Sequence, residues 1–151
     1  MIYKIQAILL SIVLFFVGLI YGDKPIEIDY IVKIDDTEIS AGDTFEWPEG
    51  EKSIRVYCSC ENVGRPFEGE NIYTPNISFY RYVNGKKEYL DFWTTTVDAE
   101  PQPILIKKGD IFNVFEYFEI NPDNKPKPGA YTMEVSVYGC KQIFENVLII
   151  K

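Results

Sequence analysis

Apolar and polar residues alternate with a period of two along most of this chain, starting near residue 26. In the clearest stretch Ile54, Val56, Cys58 and Cys60 share one parity, and polar residues with one tyrosine occupy the other. This alternation is typical of strands with one buried face. No helical period of useful length follows residue 23. The predicted strands cover residues 26–34, 37–47, 53–62, 77–83, 86–93, 104–106 and 111–120, and a closing hairpin covers residues 127–151.

Turn-forming residues separate these runs at regular intervals. Asp35-Asp36 predicts a tight turn, and Asn84-Gly85 between two alternating runs predicts a type I′ hairpin, which needs positive φ at both positions. Residues 62–75 hold several glycines and prolines and are predicted to form the longest loop. Seven to nine short strands with such spacing favour an all-β fold, an antiparallel β-sandwich.

Two runs carry a resemblance to known families: LIKKGD at residues 105–110 and PKPGAYTMEVSV at residues 126–137. They resemble the end of immunoglobulin-like and fibronectin-III-like domains, which implies that Tyr131 is a tyrosine corner whose hydroxyl returns to the backbone. With the Asn84-Gly85-Lys86 hairpin, they are also similar to BsuPI-type proteinase-inhibitor domains over residues 53–138. The Trp and Cys pattern of antibody domains is absent and residue 133 is Met, so the resemblance implies a generic immunoglobulin-like sandwich.

The first 22 residues predict a secretory signal peptide. Lys4 is their only charge, residues 7–21 are almost entirely apolar, and Gly22 precedes a polar segment. An uncleaved anchor is the alternative, although the apolar run is shorter than the ~20 residues that a spanning helix needs. We therefore expect a single domain over residues 23–151, located outside the cytoplasm, either secreted or at the cell envelope, with no stable membrane span after cleavage.

The charged residues and the absence of histidine limit the classes of partner and of chemistry that this chain could have. The chain has 15 basic and 23 acidic residues, and loss of Lys4 with the leader leaves a net charge of −9. Such a domain repels nucleic acid. Histidine is absent, which removes the commonest general base and metal ligand. The acidic turn at Asp35, Asp36 and Glu38 is more simply explained as solvated than as a calcium site, so we expect no enzyme, no metal and no cofactor.

Three cysteines, Cys58, Cys60 and Cys140, allow one disulfide and one spare thiol in an oxidising compartment. Cys58 and Cys60 lie two apart on one predicted strand, so either is able to pair with Cys140. The export signal favours a disulfide over three buried thiols.

Exposed aromatic residues are the candidate partner-binding surface. Tyr57, Tyr80 and Tyr82 have the polar parity of their strands, and Tyr89, Phe92 and Trp93 lie on a neighbouring hairpin strand. An aromatic patch on one sheet would favour protein or glycan contacts, although cover by another strand or simple cross-strand stabilisation is the alternative. Arg65 and Phe67 are the loop candidates, and Asn76-Ile77-Ser78 is a formal N-glycosylation acceptor.

The sequence therefore supports three functional hypotheses. The first is a non-enzymatic binding domain that contacts a protein or glycan partner through the aromatic face or through the loop at residues 62–75. The second is a secreted proteinase inhibitor that inserts a loop such as residues 64–72 into a protease cleft. The third and weakest is an enzyme or lipid carrier with a cavity between the sheets.

Overall fold

The computed structural model describes residues 26–70, 76–93 and 103–151. The predicted signal peptide therefore lies outside the described residues. Twelve strands and no helix are found in the described part of the chain. In chain order they are β1 (Ile28–Ile34), β2 (Thr37–Ile39), β3 (Phe45–Glu46), β4 (Ser53–Asn62), β5 (Phe67–Glu70), β6 (Asn76–Val83), β7 (Lys86–Tyr89), β8 (Phe92–Trp93), β9 (Pro103–Ile106), β10 (Ile111–Ile120), β11 (Gly129–Val137) and β12 (Cys140–Ile150).

The all-β prediction is confirmed, and the strands form three sheets. The first sheet has the order β2-β1-β4-β10-β8, the second has the order β3-β12-β11-β6-β7, and β5 pairs with β9 in a small third sheet. All pairs are antiparallel except β3 with β12, which are parallel. The strand number exceeds the predicted seven to nine because short edge strands divide segments that were counted as one strand, and because β5 lies within the predicted long loop.

The two five-stranded sheets share one hydrophobic core, an arrangement compatible with a β-sandwich. Alternate residues of β4 face inward and are almost fully buried, as their parity predicts, and the same holds for Met133 and Val135 of β11. The ring of Phe79 on β6 contacts Phe118 on β10 edge to face at 5.2 Å, which joins the two sheets. Burial of such aromatic and aliphatic side chains is the main favourable term in the folding of this chain.

Local turn chemistry sets the register of the hairpins. Asn84 and Gly85 have φ angles of 52° and 77°, as the predicted type I′ turn requires, and they place Tyr80 opposite Tyr89. Asp35 begins the predicted turn between β1 and β2 with a φ of 51°. The closing hairpin turns at Tyr138-Gly139, one residue earlier than predicted, because these two residues adopt the positive φ angles of 46° and 83°.

The predicted return of the Tyr131 hydroxyl to the backbone is confirmed. Tyr131 is 2% exposed, and its hydroxyl donates a 2.6 Å hydrogen bond to the carbonyl of Lys127. The guanidinium of Arg81 lies 5.3 Å from the centre of the Tyr131 ring. These contacts fasten the segment before β11 to the second sheet.

Candidate functional site

The outer face of the second sheet carries a cluster of three tyrosines, Tyr80, Tyr82 and Tyr89, which we call the tyrosine face. The ring of Tyr80 lies 5.7 Å from those of both Tyr82 and Tyr89, in edge-to-face geometry. Tyr80 is only 3% exposed, whereas Tyr82 and Tyr89 are 65% and 57% exposed. Tyr80 is therefore a support for two exposed rings rather than a contact residue itself.

Charged side chains brace the tyrosine face. The ammonium of Lys87 lies 3.8 Å from the centre of the Tyr80 ring, and it also pairs with Glu134 at 3.2 Å. Lys141 approaches the second oxygen of Glu134 at 2.7 Å. The hydrogen bonds from Lys141 and Lys87 lower the pKa of Glu134, since they favour its charged form. Lys87 thus connects the ring of Tyr80 with the ion pairs of Glu134.

A second aromatic surface lies on the outer face of the first sheet. We call it the aromatic cleft, and its lining residues are Lys33, Asp35, Asp36, Arg55, Tyr57, Phe115 and Tyr117. Its volume is about 420 Å³. The strand register explains the set, because Lys33, Tyr57 and Phe115 lie side by side across β1, β4 and β10, with Arg55 beside Tyr117 in the next row.

These placements correct the prediction of a single aromatic patch on one sheet. Tyr80, Tyr82 and Tyr89 do come together, but Tyr57 lies on the other five-stranded sheet. Phe92 is directed inward, where it stacks on Trp47 at 5.8 Å and contacts Phe118 edge to face. The backbone of Trp93 pairs with Glu119 of the first sheet, so Trp93 is not on the tyrosine face. Parity within one strand does not say which sheet the strand joins, and this is the origin of the error.

The loop candidates lie at a different place from both surfaces. Buried Asn62 holds the start of the loop, since its side-chain amide donates to the carbonyls of Arg65 and Ile106 and its oxygen accepts from the Gly64 amide. Phe67 packs against Tyr138 with ring centroids 4.6 Å apart. Asn76, the predicted glycosylation acceptor, is exposed at the first position of β6.

The predicted disulfide is not formed, and Cys58, Cys60 and Cys140 are free thiols. Cys58 and Cys60 both face the core and are 0% exposed. The thiol of Cys140 is directed to the carbonyl of Ile26, before β1, rather than toward β4. The hydroxyl of Tyr30 reaches across to the carbonyl of Cys140 at 2.8 Å, so hydrogen bonds tie this end of the hairpin to β1 instead.

Burial perturbs the two core thiols strongly. It raises the pKa of Cys58 from 9.0 to about 12, and it raises the pKa of Cys60 to about 11. Both side chains are therefore neutral thiols near pH 7, which are poor nucleophiles and poor metal ligands. In the three described ranges no group of three or more His, Cys, Asp or Glu side chains is placed to hold a metal ion.

Phe115 and Tyr117 were not among the predicted site residues, yet they are 62% and 50% exposed. A signal was present, because β10 has aromatic residues on both parities and only one parity is able to face the core. Ile111 and Ile31, 62% and 53% exposed, extend the same outer face. An exposed face of this composition marks a contact surface more often than a scattered apolar residue does.

No protein-family model matches this chain, and no curated protein matches it in sequence. Among residues 26–70, 76–93 and 103–151, no helix is long and apolar enough to cross a membrane.

Proposed function

We propose that this chain is a secreted or cell-envelope binding domain, without enzymatic activity, that contacts a protein partner through its tyrosine face. The observation that carries the proposal is the pair of exposed tyrosines, Tyr82 and Tyr89, whose rings both pack edge to face against the buried ring of Tyr80. Tyrosine supplies a large amphipathic contact area at a low cost in conformational entropy. The two rings lie on paired strands, so a partner meets a surface that is already ordered.

An immunoglobulin-like sandwich is the fold that we propose for this domain. Immunoglobulin domains have the strand orders A-B-E-D and C-F-G, with C′ added beside C in variable domains. The orders β1-β4-β10-β8 and β12-β11-β6-β7 correspond to A-B-E-D and G-F-C-C′. The hydrogen bond from the Tyr131 hydroxyl to Lys127, near the start of β11, further supports this assignment.

The polar surroundings of the tyrosine face suit a protein partner. Lys87, Glu134 and Lys141 form a mixed-charge rim beside the exposed rings, and Ile143, 49% exposed, lies opposite Glu134 on β12. Aromatic residues at the centre with charged residues around them are the usual composition of a non-obligate interface. The contact would be of standard size, near 800 Å² on each partner.

Photo-crosslinking tests this surface. A benzophenone amino acid replaces Tyr82 in one preparation and Phe115, on the opposite sheet, in another, and each is applied to intact cells of the source. A protein that crosslinks only through position 82 is then purified, and its affinity is measured for the wild type and for the double variant Tyr82→Ser, Tyr89→Ser. We expect the affinity to fall by about tenfold or more. Equal affinity of the folded double variant would refute the tyrosine face as the contact.

Export is the part of the proposal that rests on residues 1–22. Intact-mass measurement of the protein recovered from the medium or envelope tests it. We expect a chain that begins at Asp23. Recovery of the full chain in the cytoplasm would contradict the proposal of an extracytoplasmic location.

Proteinase inhibition is the second candidate function. The bracing of Gly64 and Arg65 by buried Asn62 favours it, because inhibitory loops gain affinity from a fixed conformation. The purified domain would be assayed against a panel of serine, cysteine and metalloproteases. Inhibition that is lost in an Arg65→Ala, Pro66→Ala variant would support the loop, and no inhibition at about 10 µM would reject it.

A further inference from the structure

We propose that the aromatic cleft on the first sheet is a binding site for a neutral saccharide. The site is separate from the tyrosine face, which lies on the other five-stranded sheet. It is therefore an additional activity of the domain and does not depend on the protein partner proposed above.

The floor of the cleft consists of the rings of Tyr57, Phe115 and Tyr117. The hydroxyl of Tyr57 donates a 2.7 Å hydrogen bond to the side-chain oxygen of Asn113, which fixes the edge of that ring. Phe115 and Tyr117 contact each other edge to face, with centroids 6.1 Å apart. Tyr57 and Phe115 are direct partners across β4 and β10, so their side chains project from the same face of the sheet. The C–H faces of a pyranose ring pack against such aromatic surfaces, and the preformed arrangement lowers the entropic cost of binding.

Charged groups stand at one end of the cleft, where the turn between β1 and β2 meets β4. Asp35 accepts a 2.9 Å hydrogen bond from the backbone amide of Arg55, and Asp36 accepts a 3.2 Å hydrogen bond from its guanidinium. The Asp36 side chain is nevertheless 99% exposed, which leaves acceptor positions open to a ligand. Within the described residues Lys33 makes no ion pair, so its ammonium has donors to offer.

The balance of these groups favours a neutral ligand that has both polar and apolar parts. Lys33 and Arg55 offset Asp35 and Asp36, so the lining is formally neutral, in a domain that carries a net charge of −9 after loss of the leader. An anionic ligand would be repelled by the domain as a whole. A wholly apolar ligand would desolvate the charged end of the cleft without forming hydrogen bonds to it, which is unfavourable. A neutral saccharide matches both ends, because its hydroxyls both donate and accept hydrogen bonds while its C–H face is apolar.

The size of the cleft agrees with a small ligand. Its volume of about 420 Å³ falls in the range of sites for small molecules. A protein partner would need a contact of near 800 Å² on each side. The register places Lys33, Tyr57 and Phe115 in one row and Arg55 with Tyr117 in the next, so we infer that one or two sugar rings fill the cleft.

A titration followed by NMR tests the proposal with defined probes. The labelled domain is titrated with neutral oligosaccharides, namely cellotetraose, xylotetraose, mannotriose and chitotriose, and with 3′-sialyllactose as the anionic comparison. We expect at least one neutral probe to shift the resonances of Tyr57, Phe115 and Tyr117, with a dissociation constant on the order of 1 mM. The Phe115→Ala and Tyr117→Ala variants should each weaken that binding by about tenfold, because each loses a stacking surface.

Two further variants separate stacking from hydrogen bonding and from the other surface. Asp36→Asn keeps the shape of the side chain and should weaken binding by about threefold, because the charged acceptor is lost. Tyr82→Ser, on the tyrosine face, should leave saccharide binding unchanged.

The proposal is overturned if no neutral probe binds at about 10 mM, if only 3′-sialyllactose binds, or if the ring variants bind as well as the wild type. Shifts that appear only on the tyrosine face would also overturn it. Failure here leaves the crosslinking result at position 82 unaffected, so the two proposals are tested separately.

Discussion

At the scale of single residues, Tyr131 shows how one hydroxyl orders a segment that has no other regular structure. The segment before β11 is polar and rich in proline, and the hydroxyl of buried Tyr131 bonds to the carbonyl of Lys127 within it. We predict that Tyr131→Phe lowers the free energy of unfolding by about 1–2 kcal/mol, since the ring stays packed and only the hydrogen bond is lost. Urea denaturation measures this. The same change at exposed Tyr89 should cost less than about 0.5 kcal/mol, and equal losses at both sites would contradict this explanation.

Asn62 is a second residue whose side chain forms hydrogen bonds with backbone groups. It is 0% exposed and its side chain bonds to Arg65, Ile106 and Gly64. We predict that Asn62→Ala lowers the free energy of unfolding by about 3 kcal/mol, because the buried carbonyl of Ile106 and the partly buried carbonyl of Arg65 lose their donor. The measurement is chemical denaturation, with Asn76→Ala at an exposed strand position as the matched control. A loss below about 1 kcal/mol would show that water replaces the amide.

Residue-level chemistry was partly readable from the sequence. The positive φ angles at Asn84-Gly85 and the hydroxyl contact of Tyr131 depend on neighbours a few positions away, and both were predicted correctly. The role of Asn62 was not predicted, because it depends on Ile106, which is 44 residues distant. The state of the cysteines was predicted wrongly for the same reason, because the thiol of Cys140 contacts the carbonyl of Ile26, which is distant in sequence.

At the scale of elements, the loop after β4 is fastened to the chain just before β1. The amides of Val63 and Gly64 both donate to the carbonyl of Glu27, at 2.9 Å and 3.3 Å. A Cβ atom placed on Gly64 would lie 2.6 Å from the backbone nitrogen of Glu27, which no real Cβ tolerates. Glycine is thus required here by a close approach of two backbones, rather than by the sign of φ.

We predict that Gly64→Ala separates these two segments and lowers the free energy of unfolding by about 1–3 kcal/mol, through overpacking. Amide hydrogen exchange should show faster exchange at Val63 and little change in β11. Gly42→Ala provides the contrast, because Gly42 has open space around it and its cost comes only from a φ of 91°. If Gly64→Ala left exchange at Val63 unaltered, the close approach would not be a constraint in solution.

Strand existence was more predictable than strand partnership. The bounds of β4 and β10 agree with those predicted, and β4 has one clearly apolar parity that faces the core. The partner of each strand depends on long-range pairing, which local alternation does not encode. For this reason Tyr57 was grouped with Tyr80, Tyr82 and Tyr89, which lie on the other five-stranded sheet.

At the scale of the whole molecule, the two aromatic surfaces lie on the two main sheets of one small domain. Each surface is built from adjacent strands, so its rings keep their spacing without a bound ligand. The shared core between the sheets is rigid because its side chains are closely packed. We therefore expect independent binding on the two faces, in which occupation of the aromatic cleft leaves affinity at the tyrosine face unchanged.

The same core couples stability to alkaline pH through its free thiols. Burial raises the pKa of Cys58 and Cys60 above the value of 9.0 for an unperturbed thiol, to about 12 and about 11. The folded state therefore holds two protons that the unfolded chain releases above pH 9. Their contribution to stability is fully present below pH 9 and is lost as the pH rises toward 12. We predict that the free energy of unfolding falls over this interval.

Comparison of the wild type with the double variant Cys58→Ala, Cys60→Ala isolates the thiols from lysine and from Tyr30, which also titrate at high pH. The variant is less stable at pH 7 because it leaves cavities in the core, but its stability should decline less steeply between pH 9 and 11. Urea denaturation at successive pH values gives both slopes. A thiol-reactive reagent at pH 7.5 should modify Cys140 before Cys58 and Cys60, because only the latter two are fully buried. Parallel slopes would show that burial does not raise the pKa values of the two thiols. Three thiols that react together in the folded protein would show that the core opens more readily than its packing implies.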